Sequence, residues 1–229
     1  MIVVFSGTTE GRRLSSRLAA EGAAVTVCVA TGYGAAEQGA APGLTVHTGR
    51  MEAGEMAALL AGAALCVDAT HPYARQASEN IRAACRQAGV PCLRLLRPAS
   101  PLPPGARAAP DAPAAARLLE GTEGGILLAT GTKELPAFAG LGGARLYPRV
   151  LPTHAALDAC AAAGIRWFVT KDGGAPGGFA EKAAAARAAG AQLVVIRRPE
   201  VKVDGVSYEQ ALDACRKAVQ RCRTDPGSP

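Results

Sequence analysis

Aromatic residues are scarce: Phe, Trp and Tyr together make up 4% of the 229 residues. So few rings leave little for bases to stack on, and there is no basic run, so nucleic acid is not an expected partner. No apolar stretch is long enough to cross a bilayer, and Met1 leads straight into a buried-strand pattern in place of a secretory leader. The expectation is a cytoplasmic protein with no membrane partner. No C-x-x-C pair occurs among Cys28, Cys66, Cys85, Cys92, Cys160, Cys215 and Cys222. An odd number of thiols, with Cys28 and Cys66 inside apolar runs, predicts neither a disulfide frame nor a zinc site, and no metal is expected. Charged residues are few as well, at 19% against 49% hydrophobic with a mean hydropathy of +0.12, which excludes a disordered chain and permits a large core. Lysine is the rarer cation, with five among the 25 Lys+Arg; set against 19 Asp+Glu this gives a net charge of +6 and a pI of about 9.1. That excess suits an anionic ligand and equally an ordinary Arg-rich surface.

What is present is a rhythm of short apolar runs, turns and Ala/Leu/Arg helices. Strands are expected at Ile2 to Phe5, Val25 to Val29, Leu44 to Val46, Leu65 to Val67 and Val90 to Leu96. Helices are expected at about Arg12 to Glu21, Met51 to Leu60 and Ala74 to Ala88. Strands apolar on both faces that alternate with helices predict a parallel sheet covered on both sides. The stretch from Arg97 to Gly105 holds four prolines, which no helix or central strand accepts. The expected organisation is therefore an α/β fold: a nucleotide-binding domain over 1–97, a Pro-rich linker over 98–110, a second α/β domain over 111–223 and a disordered tail over 224–229. In the second domain, strands are expected at Ile126 to Ala129, Arg145 to Val150, Trp167 to Thr170 and Leu193 to Ile196. Its helices fall near Ala112 to Leu119, His154 to Ala163, Ala180 to Ala189 and Tyr208 to Val219. Ser6-Gly7-Thr8-Thr9-Glu10 is echoed by Thr130-Gly131-Thr132-Lys133-Glu134, either because helix caps converge on such residues or because the two halves are related.

Ligands of open α/β sheets bind where the strands end. After the first strand, Gly7, Thr8, Thr9, Glu10 and Gly11 form either a plain capped turn or a phosphate cradle of glycine backbone, hydroxyls and helix N–H groups. After the fourth come Asp68-Ala69-Thr70-His71-Pro72-Tyr73, with Pro72 in a helix's first turn and Thr70 or His71 at the cleft mouth. His71 is either a packing residue or a catalyst. Lys133 and Lys171 directly follow strands, and Lys171 opens the Gly-rich loop Lys171-Asp172-Gly173-Gly174. That loop is either a surface excursion or a wrap of backbone N–H groups around an anion.

These pieces resemble the precorrin-6A reductase family of cobalamin biosynthesis, which includes the cobalt-precorrin-6A reductases. The matching segments are V-F-S-G-T-T-E-G-R at Val4 to Arg12, V-A-T-G-Y-G at Val29 to Gly34, H-T-G-R at His47 to Arg50 and D-A-T-H-P-Y-A at Asp68 to Ala74. They continue with T-G-T-K-E-L at Thr130 to Leu135, R-V-L-P-T at Arg149 to Thr153, T-K-D-G-G at Thr170 to Gly174 and G-G-F-A-E-K at Gly177 to Lys182. The resemblance implies two Rossmann-like domains with parallel sheets and a cleft between them. It implies NADPH or NADH as cofactor, held by Gly7, Thr8, Thr9, Glu10, Gly11, Thr31, Arg50 and Thr70. It implies an anionic tetrapyrrole-derived macrocycle as substrate, contacted by Tyr73, Thr130, Gly131, Thr132, Lys133, Arg149, Lys171, Asp172, Gly173 and Gly174. His71 would be the catalytic group, and the protein a monomer or homodimer. The chain departs from the family at Gly32, where glutamate is common. It also departs where Ala163-Gly164-Ile165 runs directly into Arg166-Trp167-Phe168, one strand–helix unit short. The alternative is a nucleotide-binding or redox-sensing Rossmann-like protein with impaired catalysis.

Overall fold

The computed structural model describes residues 1–96, 99–149, 164–174, 177–198 and 205–224. The helix expected over His154 to Ala163 lies outside them, as does the tail beyond Thr224. The chain divides into one unit of Met1–Arg97 with Val201–Pro229 and another of Pro98–Glu200.

In the first unit five strands, β1 (Ile2–Ser6), β2 (Val25–Val29), β3 (Leu44–Thr48), β4 (Leu65–Ala69) and β5 (Cys92–Arg94), pair in parallel in the order β3-β2-β1-β4-β5. Residues along β1 alternate between two apolar layers. Ile2 and Val4 pack with Leu14 and Leu18 of helix α1 (Thr9–Ala20). Val3 and Phe5 pack with Met56 and Leu60 of α3 (Ala53–Leu60) and with Ile81 and Cys85 of α4 (Arg75–Ala88). A short helix, α2 (Gly32–Gln38), which apolar periodicity did not reveal, joins β2 to β3.

The second unit also has five parallel strands: β6 (Arg107–Ala109), β7 (Gly125–Ala129), β8 (Leu146–Pro148), β9 (Ile165–Lys171) and β10 (Gln192–Ile196), in the order β6-β10-β9-β7-β8. Helices α5 (Ala112–Arg117) and α6 (Phe179–Ala188) accompany it. A 3-10 helix, Thr132–Leu141, follows β7, and its Phe138 is fully buried.

Two expected boundaries are corrected. The segment expected to be a linker over 98–110 carries β6, the edge strand paired with β10, and the Ser100 N–H bonds the Asp172 carboxylate at 3.1 Å. Prolines ending at Pro104 leave Arg107 to Ala109 free to donate to the ladder, and an edge position suits so short a strand. The final helix, α7 (Tyr208–Thr224), does not belong with the second domain. Its Ala211, Leu212, Cys215 and Ala218 join the layer of Ile2, Val4 and Leu14, and Val206 makes a parallel bridge to Leu95 of the first unit. Helix α1 alone would leave part of that face of the sheet exposed to water, and α7 completes its cover.

Helix α7 is also tied down by charge. Arg216 Nε donates to Glu21 Oε2 at 2.9 Å. Hydrogen bonds from Arg216, then Arg17, hold the Glu21 carboxyl down at about 2. A carboxylate with a depressed folded-state pKa stabilises the fold above its ordinary value of 4.5 and loses that contribution as pH falls toward 2. Acid-unfolding curves of wild type and Glu21→Gln are therefore expected to lie apart above pH 4.5 and to converge near pH 2. Parallel curves throughout would show the pair to be inert.

Candidate functional site

β1 and β4 are neighbours, yet the helices that follow them cover opposite faces of the sheet. This is a switch point, where an open parallel sheet leaves a crevice at its carboxyl edge. Thr8 caps α1: its hydroxyl accepts the Gly11 N–H at 3.1 Å and donates to the Ala69 carbonyl at 3.0 Å. The hydroxyl expected to face a phosphate is thus engaged in tying the turn to β4. The glycines serve the same closeness. A Cβ on Gly11 would sit 2.8 Å from the Ala69 Cβ, and one on Gly7 would sit 3.2 Å from the His71 nitrogen. Gly7 itself is exposed, and Thr9 and Glu10 form the half-buried first turn of α1. First-turn N–H groups of a helix have no intrahelical acceptor, which makes this the anion-accepting part of the turn. Thr31 caps α2 by accepting the Gly34 N–H at 3.1 Å, and Arg50 follows β3; both are exposed at the same edge.

Beneath the loop after β4 lies a buried polar network that the sequence did not reveal. The Asp68 carboxylate, 1% exposed, is paired with the Arg94 guanidinium, 5% exposed. Asp68 Oδ1 also accepts from the Thr70 hydroxyl at 2.7 Å and the Thr70 N–H at 3.1 Å. Arg94 donates to Thr70 Oγ1 at 2.8 Å, and Thr70 meets the Ser78 hydroxyl at 3.2 Å. Thr70 is therefore held from several sides, and His71 is presented directly after it. His71 is exposed; its Nδ1 accepts the Tyr73 N–H at 3.4 Å and its ring stacks on Tyr73 with centroids 5.4 Å apart. Helix α4 begins only at Arg75, so Pro72 lies in the preceding turn and not in the helix as expected.

At the carboxyl edge of the second sheet the loops after β7, β8 and β9 leave side by side, because β7 is paired with both others. This brings together Thr130 to Lys133, Arg149 and Lys171 to Gly174. Lys171 Nζ bonds Glu134 Oε1 at 2.6 Å. Asp172 is 1% exposed, and its carboxylate accepts from Ser100, from the Gly174 N–H at 3.1 Å and from Arg198 at 3.4 Å. It anchors the loop instead of facing a ligand. The Gly173 N–H reaches the Lys171 carbonyl at 2.9 Å, and the Gly177 N–H reaches the Gly174 carbonyl at 3.0 Å. A Cβ on Gly173 would lie 3.2 Å from the Gly177 Cα. At Gly173, Gly174 and Gly177 the Gly-rich loop turns its N–H groups onto its own carbonyls and the Asp172 carboxylate.

Other polar groups at this edge are buried. Among the described residues, Arg149 Nε and the Thr130 hydroxyl are buried without a hydrogen-bond partner. Lys182, whose Nζ donates to the Gly177 carbonyl at 3.0 Å, is held below the usual lysine range by burial first and by the nearby Arg149 charge second. Gly131, Thr132 and Lys133 are exposed. Lys182 and Arg198 were not singled out from the sequence; both stand one short step past a strand end or Gly-rich loop, which is the signal that finds them.

The chain matches the family described as Precorrin-6x reductase CbiJ/CobK over residues 1–167 and 160–222. The two pieces meet where Gly164 leads into β9. A cobalt-precorrin-6A reductase of Salmonella typhimurium (strain LT2) is 34% identical, covering 96% of this chain and 95% of its own. A cobalt-precorrin-6A reductase of Methanothermobacter thermautotrophicus is 28% identical, covering 100% of this chain and 86% of its own. The solved structure of a CobK precorrin-6A reductase superposes with a TM-score of 0.76 at 24% identity, covering 95% of this chain and 96% of that one, and shares the fold. Among the described residues no helix is long and apolar enough to cross a membrane.

Proposed function

Because the chain belongs to the Precorrin-6x reductase CbiJ/CobK family, we propose that it reduces a ring double bond of precorrin-6A, or of its cobalt form, with NADPH or NADH. Membership makes it an oxidoreductase of cobalamin biosynthesis. The family match along nearly the whole chain carries the reading, and the two strand edges supply its chemistry.

The first unit's edge suits the nucleotide. Exposed Gly7, the first turn of α1, Thr31 and Arg50 stand at the ends of three adjacent parallel strands, around the switch point where such sheets take dinucleotides. Bound there, the reduced nicotinamide supplies the hydride. The second unit's edge suits a ligand with many carboxylates: among the described residues Arg149 Nε and the Thr130 hydroxyl lack partners, and Lys133 is exposed. Exposed cations also draw anionic substrates by their summed field, so the affinity should fall with salt.

His71 is assigned the proton. Its imidazolium form would give a proton to the ring carbon beside the one that takes hydride, return to neutral imidazole and be reprotonated from water. His71→Ala is expected to lower turnover by about 100-fold, the lower end of a positioned proton donor's contribution. Turnover at the wild-type rate would leave His71 a packing residue against Tyr73.

Anaerobic spectral titration with precorrin-6A and its cobalt form, with and without reduced nicotinamide, tests the proposal. Macrocycle-dependent oxidation of the nicotinamide is expected. Binding of both ligands without oxidation would favour a nucleotide-binding protein with lost chemistry, and binding of neither would refute the assignment.

A further inference from the structure

Three of the seven cysteines, scattered in sequence, meet in the first unit. Cys66 on β4 and Cys92 on β5 are register partners on paired strands, so both side chains project from the same face of the sheet. Helix α4 lies over that face and contributes Cys85. The three sulfurs lie within 4.8 Å of one another, with Cys66 and Cys85 buried and Cys92 half-buried. Among the described residues no histidine or carboxylate belongs to the group. We propose that Cys66, Cys85 and Cys92 form a three-coordinate site for a soft d10 metal ion, monovalent copper.

Size and ligand chemistry point the same way. A triangle with sides of 4.8 Å has its centre about 2.8 Å from each corner, so closing by about half an ångström reaches a metal–thiolate bond of about 2.3 Å. Thiolates select soft ions, copper(I) and zinc foremost. Structural zinc sites are almost always four-coordinate, and among the described residues three ligands gather here. On binding, the thiols release their protons to solvent and leave three thiolates around one positive charge.

The test is anaerobic titration of the reduced full chain with copper(I) against a chromophoric copper(I) chelator. One copper per chain should be withdrawn from the chelator. Cys85→Ser and Cys92→Ser should each weaken uptake by more than about 100-fold, the upper range for losing even an outer-shell partner. Cys222→Ser, at an exposed position on α7, should bind as wild type. Cys92→Ser replaces the most accessible of the three, so its metal-free circular dichroism and melting curve should match wild type and separate lost ligation from lost folding. X-ray absorption should show three sulfur neighbours. Failure to compete for copper, wild-type uptake by a well-folded Cys92→Ser protein, or uptake of zinc in preference to copper would each overturn the assignment.

Discussion

Replacing Arg94 by methionine is expected to destabilise the first unit by about 3–5 kcal/mol. The side chain keeps much of its apolar length, but the Asp68 carboxylate, 1% exposed, is left without its counter-charge. Removing one partner of a buried pair costs more than the pair contributes, because the remaining charge has no water to turn to. Urea unfolding should show a lowered midpoint with an unchanged slope. Arg94→Met combined with Asp68→Leu should recover much of the loss, since the orphaned charge goes with the second change. The pair also holds Thr70, so the single variant should displace the turn bearing His71. A midpoint within about 1 kcal/mol of wild type would mean that Asp68 finds another partner or takes up a proton.

Lys171→Met is expected to raise the dissociation constant of the macrocycle at least about tenfold, with nucleotide binding nearly unchanged. A charge-assisted hydrogen bond contributes about 1.5–3 kcal/mol, which converts to roughly 10- to 150-fold. The pairing of Lys171 with Glu134 at 2.6 Å sharpens the expectation. Without the lysine, Glu134 presents a bare carboxylate to a ligand that is itself polyanionic. Adding Glu134→Gln should therefore restore part of the affinity, and the difference should shrink as salt rises. Isothermal titration at low and high salt measures both effects. Wild-type affinity in Lys171→Met at low salt would remove Lys171 from the substrate contacts.

The parallel sheets were legible because β1, β4, β7 and β10 are apolar on both faces and punctuated by Gly, Thr and Asp. Their ends could therefore be searched for chemistry, and the edge residues after β7, β8 and β9 do gather. What stayed hidden was long-range. Nothing in the stripe Ala211, Leu212, Cys215 and Ala218 says which of two apolar sheets it covers, so chain order alone places α7 with the second unit. Arg94 reads as one more arginine until its strand is laid beside Asp68. The Gly-rich loop after Lys171 looked open because sequence does not show Asp172 turning inward to collect its N–H groups. The three-thiol cluster depends on a strand register and a helix rotation, neither of which cysteine spacing encodes.

The most direct test of the central claim follows the hydrogen itself. Precorrin-6A, or its cobalt form, is incubated anaerobically with the protein and reduced nicotinamide deuterated at its transferable position, and the product is analysed by mass spectrometry. The account predicts a product carrying one deuterium from the nicotinamide and one hydrogen from water. Unchanged macrocycle in the presence of bound nicotinamide and bound substrate would contradict it.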